Sequence, residues 1–70
     1  MTATDTLHRL LGDLAGLVEV HEYPDRIAID IEVGLYRARR TRRDKSSAAL
    51  AALALDVRLL ITGLPDRVEQ

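Results

Sequence analysis

Between Thr4 and Val18 the apolar residues Leu7, Leu10, Leu11, Leu14, Leu17 and Val18 recur at helical spacing, and wound at 100° per residue they fall in one stripe about 120° wide. The other side carries His8, Arg9, Gly12, Asp13 and Gly16. The spacing predicts a one-faced helix over 5–17. Thr4 or Asp5 can accept the free N–H groups of its first turn, and Asp5 also suits the positive end of the helix dipole. Gly12 and Gly16 stand four apart on the outer side. They suit either a close helix contact or, more simply, a surface glycine followed by a helix stop.

The period then changes from helical to alternate. Six of the nine Val and Ile residues lie between Val18 and Val33. Val18 and Val20, then Ile27, Ile29, Ile31 and Val33, alternate with polar neighbours, the signature of strands with one apolar face. Between the two runs, Tyr23-Pro24-Asp25-Arg26 carries Pro at the second turn position. Pro cannot take the positive φ of a primed two-residue turn, which predicts a loop of about four residues. With Glu22 and Ile27 flanking that loop, Val20 faces Ile29 and Val18 faces Ile31, so the apolar face stays intact. The same register sets Glu19 against Asp30, a like-charge pair that needs a cation nearby.

After a basic stretch, a second helix is predicted over 46–62, stopped by Gly63 and Pro65. Leu50, Leu53, Val57, Leu60, Ile61 and Leu64 form one stripe, spaced to pack over the sheet beside the first helix. Leu55 and Leu59, with Ala48 and Ala52, form a second stripe on the opposite side. Only Asp56, Arg58 and Thr62 are polar in the middle of this helix. A helix apolar all round must be covered all round, and a chain of 70 residues is too short to cover both sides by itself. A second subunit supplies the missing cover most simply.

Charge sharpens this picture. The chain carries a net charge of −1, but residues 1–36 hold seven acids against Arg9 and Arg26, and residues 37–45 hold six bases against Asp44. The basic stretch, Arg37, Arg39, Arg40, Arg42, Arg43 and Lys45, could bind a polyanion, because arginine forks match phosphate and clustered arginine releases counterions from nucleic acid. Against that stand a pI near 6.0 and a single adjoining aromatic, Tyr36. A solvated joint over 36–45, an intersubunit contact with the acidic half of another copy, and a helix start at Thr41 to Asp44 are the competing readings. Nine arginines to one lysine, with nine alanines, also suit the coding bias of a GC-rich bacterial genome.

Composition narrows the chemistry. The chain has no cysteine, which removes disulfides, thiolate metal sites and thiol nucleophiles. Without Phe or Trp the core must be aliphatic. No run approaches the ~18 apolar residues of a membrane span, and the N-terminal stretch lacks the pattern of a secretory signal, so a cytoplasmic protein away from membranes is expected. Glu19, His21, Asp30 and Glu32 gather on the outer strand face, where they could ligate a divalent ion, but no metal-loop or His-x-x-x-His spacing accompanies them. His8 and His21 lack a serine in a nucleophile setting, and no glycine-rich phosphate loop follows a strand. Neither catalysis nor a metal or other cofactor is expected.

Leu17 to Arg39, LVEVHEYPDRIAIDIEVGLYRAR, resembles gas-vesicle shell proteins in its order of elements, helix, β-hairpin, helix. The basic stretch and the Ala/Leu helix after it depart from that pattern, and no residue role carries over. The resemblance implies a self-assembling structural subunit.

Together these features predict a single small α+β domain over 1–70: helix 5–17, hairpin 18–35, basic joint 36–45 and helix 46–62. A three-helix bundle, with 26–43 helical, is the alternative. The expected function is a non-enzymatic protein-interaction module, adaptor, docking or regulatory, that forms a homodimer or higher oligomer through Ala48, Ala52, Leu55 and Leu59. Another protein is a further possible partner. A nucleic-acid-binding protein using 37–45 is the second reading.

Overall fold

The computed structural model describes residues 2–63. Helix α1 (Ala3–Leu11) leads through a 3-10 segment (Gly12–Leu17) into strands β1 (Val18–Tyr23), β2 (Arg26–Val33) and β3 (Tyr36–Arg42), and helix α2 (Ser47–Thr62) follows. The strands form one antiparallel sheet in the order β1-β2-β3. The class is α+β, with a helix before and after the sheet; the bundle alternative is excluded, since most of 26–43 is strand.

The first helix is shorter than its hydrophobic stripe. Gly12 takes φ +58° as the C-cap and donates its N–H to the His8 carbonyl, which ends the α-helix at Leu11. The tighter 3-10 winding then packs Leu14 and Ala15 against the core, while Leu10 and Leu17 of the predicted stripe stay exposed, Leu17 because the turn changes from about 3.6 to 3 residues. The N-cap is Thr2, whose hydroxyl accepts from Asp5 N at 3.1 Å, rather than Thr4 or Asp5. No atom outside the local chain lies within 4 Å of where a Cβ on Gly12 or Gly16 would sit, so neither glycine serves a close contact within the subunit.

β1 and β2 pair in the register derived from burial, Val18 with Ile31, Glu19 with Asp30 and Val20 with Ile29. The pairing runs one step further than expected, to Tyr23 with Arg26, so the turn has two residues, Pro24 and Asp25. Among the described residues, no residue other than glycine has positive φ, so this turn is not of the primed type. Its expected length of four was wrong because the strands pair right up to the proline.

The larger departure concerns the basic joint, most of which is a third strand. The turn Gly34-Leu35 reverses the chain after β2, with Gly34 at φ +61° supplying the backbone that a tight hairpin requires at its first position. β3 then pairs Tyr36 with Val33, Ala38 with Ile31, Arg40 with Ile29 and Arg42 with Ile27. Directly opposed residues share a face, so Arg40 and Arg42 lie on the side of the sheet that carries the core. Arginine tolerates this position because its methylene stem covers apolar surface while the guanidinium reaches solvent. The expected helix start at Thr41 to Asp44 is absent for the same reason. Thr41 is in β3, and α2 is capped by Ser46, whose Oγ accepts from Ala49 N at 3.2 Å.

Both helices cover one face of the sheet. Leu7 and Leu11 from α1, Ile27, Ile29 and Ile31 from β2, and Leu50, Leu53, Ala54 and Val57 from α2 make a buried aliphatic cluster. Leu60 and Ile61 pack against it; Leu64 lies outside the described residues. No buried polar side chain interrupts the core among the described residues. A domain of this size is stabilised by only about 4–10 kcal/mol in total, so each of these contacts matters.

Candidate interaction surfaces

The two stripes of α2 behave differently. Leu50, Leu53, Ala54 and Val57 are buried, whereas Leu55 remains 55% and Leu59 61% exposed, and Ala48, Ala51 and Ala52 are exposed with them. The three polar residues of the mid-helix bond within the chain. Asp56 accepts from Arg42 Nη2 at 2.8 Å. Arg58 Nη2 donates to the Leu10 and Leu11 carbonyls at 2.9 and 3.2 Å, at the C-terminal end of α1. Thr62 Oγ1 donates to the Arg58 carbonyl at 2.8 Å. The apolar stripe between them is left without cover among the described residues.

The basic stretch meets the acidic part of its own chain. Arg37 pairs with Glu32 at 3.2 Å, and Arg39 grips Asp30 with two parallel bonds, Nε to Oδ1 at 2.6 Å and Nη2 to Oδ2 at 3.0 Å. Both pairs are direct cross-strand neighbours in the β2–β3 register. Arg42 pairs with Asp56, and Lys45 donates to the Tyr23 carbonyl and lies 3.5 Å from Glu22 Oε2. Four of the six cations are therefore matched by carboxylates of the same subunit. Arg40 bonds the Arg39 carbonyl at 3.0 Å, and Arg43 is exposed. The charge asymmetry along the sequence is largely closed inside the fold.

The same contacts explain the like-charge pair Glu19–Asp30. Asp30 is flanked by Arg39 on β3 and by His21, whose Nε2 lies 3.2 Å from Asp30 Oδ2 and 3.5 Å from Glu19 Oε1. The Arg39 guanidinium holds the Asp30 carboxyl below the usual carboxylate range, against a smaller opposing effect of burial, and Asp30 in turn raises Arg39. Glu32 is paired with Arg37 beside this group.

No family model matches this chain, and neither does any curated protein or solved structure. The resemblance to gas-vesicle shell proteins carried a helix–hairpin–helix order, and the third strand is a further departure from it.

Glu19, His21 and Asp30 each present one ligand atom within 4.8 Å of the others, a spacing a metal ion would fit. Both Asp30 oxygens, however, already accept from the Arg39 guanidinium, which competes for that carboxylate. Two hollows of about 300 and 360 Å³ share Glu19, Asp30 and Glu32, and His21 lines neither. Among the described residues, the outer sheet face carries its acids in ion pairs with Arg37, Arg39 and His21.

Two residues of structural consequence escaped the sequence reading. Arg58 joins α2 to the end of α1, a long-range contact with no local signature. Leu35 is fully exposed at the β2–β3 turn, a position legible only once Tyr36–Arg42 is seen to be a strand.

Proposed function

We propose that this chain is a non-enzymatic protein-interaction module, of adaptor, docking or regulatory type, that works as a homo-oligomer joined through the outer face of α2. The observation that carries the reading is the exposure of Leu55 and Leu59 on a helix whose other side already fills the core. Exposed leucines scattered singly need no explanation, but two in register with Ala48 and Ala52 make a continuous apolar seam. The seam spans roughly 16 Å of helix, which limits the contact to a few hundred Å² per copy, below the ~800 Å² per partner of a standard interface. Micromolar rather than nanomolar association is the corresponding expectation.

Nucleic-acid binding through 37–45 ranks second because the cations are spent: Arg37, Arg39, Arg42 and Lys45 face carboxylates within the subunit. Sedimentation equilibrium between 1 and 300 µM tests the first reading. A concentration-dependent oligomer abolished by Leu55→Glu supports it, and a well-folded monomer throughout removes it. Gel retardation with random duplex and single strands over a salt series tests the second. Steep salt-dependent binding, lost when Arg39, Arg40, Arg42 and Arg43 are replaced by Ala, would restore that reading.

A further inference from the structure

We propose that α2 meets α2 of a second copy of this chain in antiparallel orientation, about a two-fold axis passing between Ala52 and Leu55, and that the assembly closes as a dimer. The inference rests on the reading above, that copies meet through α2, and adds which face meets which.

Spacing supplies the first step. Ala48, Ala52, Leu55 and Leu59 are separated by four, three and four residues, the alternation of a two-helix seam. Wound at 100° per residue they occupy a strip about 60° wide, diametrically opposite Leu50, Leu53, Ala54 and Val57. The interface strip and the core strip therefore do not compete for any side chain.

Size decides the orientation. The seam reads small, small, large, large along the helix. In a parallel, in-register pair, alanine would face alanine and leucine would face leucine, leaving a gap at one end and forcing the helices apart at the other. Reversing one helix places Ala48 against Leu59 of the second copy and Ala52 against Leu55, so that every layer holds one small and one large side chain. Layers of equal volume let two straight helices stay in contact along their length, the arrangement in which cores interdigitate without voids or strain.

The flanking charges agree. Beside the seam, Asp56 and Arg58 are the charged residues of α2, and the reversed register sets Asp56 beside Ala49 and Arg58 beside Ala51 of the second copy. No like charges meet, and the bonds of Asp56 to Arg42 and of Arg58 to the end of α1 are left in place. The partner is thus a second copy rather than an arbitrary apolar surface, because the strip is complementary to its own reversal. Such an isologous contact uses the same patch on both subunits and closes at two.

The chain has no cysteine, which makes single-cysteine cross-linking clean. Ala48→Cys and Leu59→Cys are prepared separately, one with a mass tag, and oxidised at 100 µM alone and as an equimolar mixture. In the antiparallel pair, positions 48 and 59 of different copies face each other. Like positions are offset along the axis by eleven residues, about 16 Å, which takes them beyond disulfide reach. The expected result is a mixed, tagged-to-untagged disulfide formed at least tenfold faster than either homotypic product. Faster homotypic products in a chain that sediments as a dimer would overturn the orientation while leaving α2 as the interface. Monomeric sedimentation with no cross-link above a Leu35→Cys control would overturn both. A second pair of variants gives an independent reading: Ala52→Lys and Leu55→Glu are each expected to be monomeric and folded by circular dichroism, and to dimerise when mixed. Failure of the mixture to dimerise, with both variants folded, counts against the register.

Discussion

Replacing Leu55 or Leu59 with alanine separates assembly from folding. Full burial of a leucine side chain is worth about 1.5–3 kcal/mol relative to exposure. With 55% of Leu55 and 61% of Leu59 still open in the single subunit, the part left for a partner to cover is about 1 kcal/mol per residue per copy. A two-fold contact uses each residue twice, so either single substitution should cost the dimer about 2 kcal/mol, or roughly 30-fold in Kd. The double variant should lose about 4 kcal/mol, close to three orders of magnitude, which leaves it monomeric at every accessible concentration. Folding of the isolated subunit should change by less than about 0.5 kcal/mol, because neither side chain belongs to the core. Sedimentation equilibrium from 1 to 300 µM measures the first quantity, and urea denaturation at 1 µM measures the second. Leu35→Ala is the control, since Leu35 is more exposed than either yet lies on the β2–β3 turn; it should leave both measurements unchanged. If the alanine variants shift the denaturation midpoint at 1 µM and leave Kd alone, the seam is part of the fold and the reasoning from exposure is wrong. If Leu35→Ala weakens association as much as Leu55→Ala, the association is general stickiness rather than a defined interface.

Other measurements probe the fold beneath the interface. Leu53→Ala, at a position with no exposure and at the centre of the aliphatic cluster, should cost about 2–5 kcal/mol and leave little folded protein, as read by circular dichroism and urea titration. Arg58→Ala removes the Nη2 that donates to two carbonyls at the end of α1; a loss of about 1 kcal/mol is expected in urea, with Arg58→Lys recovering part of it, because a single nitrogen makes both bonds and an ammonium can donate to both from a shorter stem. Asp30→Asn tests the Arg39 contact through pH. Because the Asp30 carboxyl is depressed in the folded state, its contribution is present above the unfolded value of about 3.9 and is lost as pH falls through the lower folded value. Wild-type stability should therefore fall more steeply than that of the variant below about pH 4, and parallel acid limbs would refute an ionised Asp30–Arg39 pair as a source of stability.

The elements with one clean period were legible. Alternation from Val18 to Val33 gave the strand pair and its register, because a slip of one residue would have turned Ile27, Ile29 and Ile31 to solvent. The third strand was hidden by composition. Tyr36, Ala38, Arg40 and Arg42 do alternate with Arg37, Arg39 and Thr41, but arginines on both faces mask the short apolar trace left by Tyr36 and Ala38. What could have exposed it is the acids: Glu19, Asp30 and Glu32 on one face demanded cations, and the nearest supply in sequence lay just past Gly34-Leu35. The helix stop at Gly12 was concealed for a different reason. The 3-10 segment carries Leu14 and Ala15 onto the core, so the apolar stripe continues past the point where the backbone changes.

Physical cost ranks the sheet face, the sheet edges and the outer face of α2 as places for copies to meet. The outer face of the sheet is covered by its own ion pairs, and burying those would charge the interface with desolvation of Asp30, Arg37 and Arg39. The β3 edge presents a strand with arginine at 37, 39, 40 and 42, a composition that disfavours edge-to-edge pairing. The β1 edge is six residues long, carries Glu19 and Glu22, and has its Tyr23 carbonyl already bonded to Lys45. Among the described residues, the outer face of α2 combines the exposed Leu55 and Leu59 with charges that stay satisfied when it is covered. If copies meet there as proposed, the face is complementary to its own reversal, so covering it in one copy would also cover it in the other and the assembly would end at two.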